Sequence, residues 1–212
     1  MPFSSSTELP RLLLIGDLFT RPSVASNIRE AVRAGVEWVQ LRDHDAGEEI
    51  FRESAVRLAD ELRAIREDVL ISVNTRVAVR ERIGGGLHVG LRGPAVPEAR
   101  VIVGPDVLLG ASVHSELAID PDGADYLIWS PVYPTSTKPG HPGTGVLKFE
   151  SMCLKAGVTP VIALGGIIPE RVGPCLDAGA YGVAVLSGIL GADDVGERVE
   201  EYLHSLSTEA GI

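Results

Sequence analysis

The sequence predicts a single small (β/α)8 barrel, and three observations point there. Short apolar runs rich in β-branched residues alternate with longer amphipathic segments. There are eight such runs within 212 residues. No Pro/Ser-rich linker or composition break divides the chain. Strand, helix, strand, helix is the pattern of a parallel sheet with crossover helices, and a meander or sandwich fits it poorly. A doubly wound open sheet is the runner-up. Residues 1–212 are read as one domain, with 1–10 a flexible N-terminus.

The strand runs fall at 12–15, 36–41, 69–73, 86–89, 107–113, 126–133, 160–164 and 181–186. Helix-like stretches fall at 26–34, 48–65, 77–83, 115–119, 149–156, 169–178 and 194–206, with a weak one near 96–100. Ser26 with Glu30 resembles the capping box that starts a helix. Ala34-Gly35 and Ala178-Gly179 read as glycine-terminated helix ends. Residues 134–145 form a Pro/Gly-rich insert after the sixth strand, read as a lid or loop.

Composition narrows the function. The net charge of −10 argues against nucleic acid as a bulk partner, since phosphate binding of that kind needs a basic face. No apolar run approaches the ~18 residues of a membrane span, and no signal peptide is visible, so a cytoplasmic protein is expected. Cys153 and Cys175 belong to no CxxC or Cys/His cluster and read as plain buried cysteines, not metal ligands.

In a barrel of this kind the site lies at the C-terminal ends of the strands, so polar residues on the inner face there are informative. The alternation places Asp17, Gln40 with Arg42, Asn74, His88, Ser112 with His114, and Ser130 on that face. Taken singly, His88 or His114 reads as a satisfied core histidine. Taken together, the set reads as a site, because so many buried polar groups without partners are costly. Gly165-Gly166 ends the seventh strand and Leu186-Ser187-Gly188 the eighth, where such barrels recurrently bind phosphate. Thr135, Ser136, Thr137 and Lys138 follow the sixth strand with hydroxyls and an ammonium suited to phosphate oxygens.

The ordered runs Val39-Gln40-Leu41-Arg42, Val73-Asn74-Thr75-Arg76, Gly86-Leu87-His88-Val89-Gly90, Gly110-Ala111-Ser112-Val113-His114-Ser115 and Gly123-Ala124-Asp125-Tyr126 carry a resemblance. Ser130-Pro131-Val132-Tyr133-Pro134-Thr135-Ser136-Thr137-Lys138, Pro160 to Ile167 and Ala178 to Ile189 continue it. The chain resembles the thiamine phosphate synthase/TenI superfamily over nearly its whole length. The resemblance implies a (β/α)8 barrel. It implies either of two activities: joining a hydroxymethylpyrimidine diphosphate to a thiazole phosphate with release of pyrophosphate, or tautomerisation of a thiazole phosphate carboxylate. By resemblance, Arg42, Asn74, Ser112 and Lys138 hold a diphosphate, and Thr135 and Thr137 lie near the thiazole. Gly165 or Gly166, with Leu186 and Ser187, cradles the thiazole phosphate, and Gln40 is a pocket glutamine.

The departures from that pattern matter as much. His44 stands where the synthase pattern has lysine. Thr75 and Gly93 stand where it has the two Mg2+ carboxylates. Arg92, one residue before the second of these positions, offers positive charge there as a minor alternative. The expectation is therefore a TenI-type, metal-free thiazole tautomerase-like protein with His44 or His114 as acid/base. The alternatives are a thiamine phosphate synthase with an altered metal site, and a non-catalytic thiazole or thiamine phosphate binder. No cofactor is expected, Mg2+ only under the synthase alternative. The expected partner is a small phosphorylated thiazole or thiamine-pathway ligand, and a homo-oligomer is left open.

Overall fold

The computed structural model describes residues 8–90, 92–114, 123–135 and 140–208. Parallel strands β1 (Leu12–Asp17), β2 (Trp38–Arg42), β3 (Leu70–Asn74), β4 (Gly86–Val89), β5 (Leu109–Val113), β6 (Tyr126–Trp129), β7 (Val161–Leu164) and β8 (Gly182–Val185) close into a barrel in chain order. β8 pairs with β1 through Leu12 and Val183, so the barrel has no open edge and the doubly wound sheet is excluded.

The helices are α1 (Pro22–Arg33), α2 (Glu48–Ile65), α3 (Val77–Ile83), α4 (Val96–Val103), α5 (Val146–Ala156), α6 (Val172–Asp177), α7 (Ser187–Leu190) and α8 (Val195–Thr208). The helix expected at 115–119 falls outside the described residues. Helix α2 shows why these segments fold as they do. Phe51, Ala55, Leu58, Ala59 and Leu62 recur at helical spacing and are buried, while Glu48 and Glu49 sit in the first turn, where the helix dipole favours them. Among the described residues, no helix is long and apolar enough to cross a membrane.

The strands separate two apolar layers by their period of two. Leu12, Leu14, Val39, Leu41, Val73 and Val183 face outward into the layer shared with the helices. Leu13, Ile15, Trp38, Tyr126, Ile128, Ile162 and Ala184 fill the interior. Tyr126 is its centrepiece and meets Trp38 edge to face at 4.7 Å. A Cβ on Gly110 would lie 2.0 Å from Tyr126 Cζ, so the ring occupies the space a side chain on β5 would take.

Several boundaries differ from expectation. Helix α1 starts at Pro22 after an extended Arg21 with no side-chain cap, so Ser26 lies inside the helix and caps nothing. Proline at the first helical position sets the start without needing an N–H. Helix α4 is a full helix, not a weak turn. Strand β6 stops at Trp129, although Val132 and Tyr133 still donate to the carbonyls of Leu164 and Gly165. Leu9, in the stretch expected to be flexible, is buried among the interior residues, and its carbonyl accepts from the Tyr181 hydroxyl at 2.5 Å.

Candidate active site

A cavity of about 580 Å3 opens at the C-terminal ends of the strands. Ile15, Ile128, Leu164 and Ala184 line it with apolar surface, and polar groups surround them. Gln40, Arg42, His44, Asn74, Ser112, His114, Thr135, Gly165, Gly166, Leu186 and Ser187 all line it, so the barrel gathers eleven expected residues from six strands and their loops. Thr137 and Lys138 fall outside the described residues.

One side of the cavity is built by the ends of β7 and β8. Gly165 and Gly166 have φ of 104° and 62°, a region that favours glycine. A Cβ on Gly166 would also lie 2.2 Å from the Pro134 carbonyl oxygen, and one on Gly165 2.6 Å from Pro131 Cβ. The glycine pair thus has a structural reason: it lets the loop after β6 pack across the end of β7. Arg171 closes this side. Its Nη1 donates to the Gly166 carbonyl at 2.5 Å, and its guanidinium lies 4.6 Å from the Tyr133 ring centroid. Leu186, Ser187 and Gly188 complete the wall.

The other side comes from β2, β3 and β4, of which β3 and β4 lie across the closed barrel from β7 and β8. Arg42 Nε donates to Asp17 Oδ1 at 2.9 Å, a bridge between register neighbours on β1 and β2. His44 and Arg92 stand beside it on the cavity. Partial burial holds His44 below its ordinary pKa, helped by the positive charges of Arg42 and Arg92 and opposed by Asp17 and Asp43. Asp43 is buried and engaged: Oδ2 accepts from Thr20 Oγ1 at 2.5 Å, and Oδ1 from the amides of Asp45 and Ala46, both at 3.0 Å. Arg76 donates to the Ala46 carbonyl at 2.7 Å and lies over the Phe51 ring, fixing the loop that carries His44.

Between these sides runs a buried polar strip. His88 Nδ1 lies 3.1 Å from the Tyr126 hydroxyl, and Nε2 lies 2.8 Å from Ser112 Oγ. Burial, reinforced by Arg42 and His114, drives the His88 pKa down to about 3. His88 is therefore neutral and fully partnered, which matches the reading of it as a core histidine. His114 is exposed, and its Nδ1 lies 2.9 Å from the Ser130 carbonyl. A carbonyl can only accept, so Nδ1 carries a hydrogen, and in the neutral tautomer that makes this contact the lone pair is on Nε2. Gln40 is buried on the cavity wall, and its Nε2 has no hydrogen-bond partner. The buried Tyr126 hydroxyl lies close enough to interact with the Gln40 side chain.

The residues do not fit a resident Mg2+. That ion takes hard oxygen ligands, usually one or two carboxylates with substrate phosphates. The two positions where the resemblance expects carboxylates hold Thr75 and Gly93. Asp17 is bound to Arg42, and both oxygens of Asp43 are engaged. Among the described residues, no three His, Cys, Asp or Glu side chains cluster to hold a metal. Sequence reasoning missed Arg171 as a cavity residue. A lone arginine shortly after a phosphate-type glycine turn is a usable signal. It gave Arg92 only a minor part, because closeness to His44 arises only when the barrel closes.

Residues 14–189 match the family described as thiamine monophosphate synthase. The thiamine-phosphate synthase of Syntrophomonas wolfei is 36% identical over 176 residues, covering 82% of this chain and 84% of that protein. The thiamine-phosphate synthase of Pyrococcus abyssi is 34% identical over 202 residues, covering 92% and 93%. The solved thiamine phosphate pyrophosphorylase from Pyrococcus furiosus superposes with a TM-score of 0.80 at 28% identity, covering 95% of this chain and 97% of that one.

Proposed function

The chain belongs to the thiamine monophosphate synthase family, and from that membership we propose that it joins a hydroxymethylpyrimidine diphosphate to a thiazole phosphate, releasing pyrophosphate. The sequence alone placed the tautomerase first and this reaction second. The named relatives are synthases, and that reverses the order.

One observation carries the reading: two groups of residues suited to an anion line different sides of the cavity, with apolar residues and a buried polar strip between them. The Gly165-Gly166 turn, Ser187 and Arg171 form one group; Arg42, His44 and Arg92 form the other. Its volume of about 580 Å3 suits two small heterocycles. The reaction breaks the bond between the pyrimidine's methylene carbon and the diphosphate oxygen, and the electron pair leaves with pyrophosphate. The thiazole nitrogen lone pair forms the new C–N bond. No proton moves, so the chemistry calls for alignment of the two rings and for positive charge at the leaving group. Gln40 offers an amide on the cavity wall for a ring of the ligand, and the phosphate end anchors the thiazole.

A second reading keeps the tautomerase. His114 favours it, with Nδ1 on the Ser130 carbonyl and Nε2 free to take a proton on the cavity. The test is direct. Purified protein receives both synthase substrates, and thiamine phosphate is read as fluorescent thiochrome. Product at an enzyme-like rate supports the synthase. No product, with turnover of a thiazole phosphate carboxylate that His114→Asn lowers by about 10²–10⁴-fold, overturns it in favour of the tautomerase.

A further inference from the structure

We propose that Arg92, acting with Arg42 and His44, is a built-in cation for the diphosphate end of the ligand, so that this end binds without a divalent metal. The inference rests on the two-substrate reading above and deepens it.

The first observation is a contact. A Cβ on Gly93 would lie 2.8 Å from Thr75 Cγ2. The two positions that hold carboxylates in the synthase pattern therefore touch, and both are uncharged here. No acidic side chain remains at that point to draw a divalent ion. The second observation is what stands beside it. Arg92 is the neighbour of Gly93 in sequence, lines the same cavity and is exposed at its mouth. Among the described residues it makes no ion pair or hydrogen bond, whereas Arg42 is bridged to Asp17 and Arg76 to Glu48. An uncompensated guanidinium at a cavity in a chain of net charge −10 is a local reversal of sign.

The charges around His44 complete the picture. Arg42 and Arg92 face it, and the carboxylates that face it, Asp17 and Asp43, already have partners. A planar guanidinium presents paired N–H donors to phosphate oxygens, giving charge and direction together. Losing two carboxylates changes the local charge as much as a bound divalent ion does at an acidic pair, and the arginine adds one further positive charge.

The test is calorimetric titration of the purified protein with inorganic pyrophosphate, once in EDTA and once in excess Mg2+. The account expects binding in EDTA, with Mg2+ changing the affinity by less than about threefold. Arg92→Gln is expected to weaken binding in EDTA by about ten- to a hundredfold, from loss of charge-assisted hydrogen bonds to a diphosphate. Arg92→Lys, which keeps the charge but not the fork, is expected to fall between. Binding only with Mg2+ overturns the inference, and so does Arg92→Gln with unchanged affinity. Thiazole phosphate is titrated in parallel. Its affinity is expected to be the same in wild type and Arg92→Gln, which shows the variant folded. If thiazole phosphate binds neither protein while pyrophosphate behaves as expected, the two-substrate reading fails and the anion site stands.

Discussion

Thr75 and Gly93 meet at the mouth of the barrel, where a side chain on the second would run into the methyl group of the first at 2.8 Å. Strand β3 and the turn after β4 bring together two residues 18 positions apart. Their contact turns two separate sequence departures into one altered pocket.

Thr75 itself is strained. Its φ of 58° is unusual for a β-branched residue, whose branched Cβ crowds the backbone there. Such a residue carries of order 1–3 kcal/mol of strain. Thr75→Asn keeps a polar side chain and tolerates the left-handed region better. It is expected to stabilise by about 1 kcal/mol, a rise in Tm of about 2–4 °C for a chain of this size. An unchanged or lower Tm speaks against strain at this residue.

The pocket is also expected to be convertible. Gly93→Asp alone would clash with Thr75, so the paired change Thr75→Asp with Gly93→Asp is the one to make. The double variant is expected to gain Mg2+ dependence: excess Mg2+ raises its pyrophosphate affinity by about tenfold or more, a gain of about 1.4 kcal/mol or more. Titration with and without EDTA reads this. Indifference to Mg2+ in the double variant removes the link between these two positions and the metal.

Stability is expected to fall on mild acidification because of His88. The unfolded histidine takes a proton as pH falls through about 6.5. The folded one stays neutral down to about 3. Between those values the unfolded chain binds more protons, so stability drops with pH, by up to about 1.4 kcal/mol per unit. Above about 6.5 the group makes no pH-dependent contribution. His88→Gln cannot titrate, and its urea midpoint is expected to change less between pH 7 and pH 5 than that of wild type. Equal slopes would place the acid sensitivity elsewhere.

Gly110 is expected to resist substitution although it lies mid-strand. Gly110→Ala puts a methyl group where the Tyr126 ring already sits. Overpacking of this kind costs about 1–3 kcal/mol, read as a lower urea midpoint at unchanged slope. A midpoint equal to wild type would mean that Tyr126 has room to move.

Much of this was legible in the chain, for identifiable reasons. Helices α2 and α3 and strand β4 fall at their expected bounds, since their periodicity is clean and glycine or polar residues flank them. The inner-face alternation of Gln40, Arg42, Asn74, His88, Ser112 and His114 follows from period two alone, and all six line the cavity. The start of α1 was missed because Ser26 looks like a cap while Pro22 sets the start. Strand β6 was drawn too long because an apolar run continues past Pro131, which has no N–H for the ladder. The Thr75–Gly93 contact, the approach of Arg92 to His44 and the stacking of Arg171 on Tyr133 were not legible. Each joins residues from different strands or loops, and only barrel closure fixes those distances.

The measurement that bears most directly on the account is a crystal structure grown with thiamine phosphate and pyrophosphate together, in the presence of Mg2+. The account predicts the phosphate of thiamine phosphate at the Gly166 and Ser187 backbone, and pyrophosphate within hydrogen-bond distance of Arg92 and Arg42, with no metal ion ligated by the protein. Pyrophosphate held through a metal on protein carboxylates, or lying away from Arg92, would contradict it.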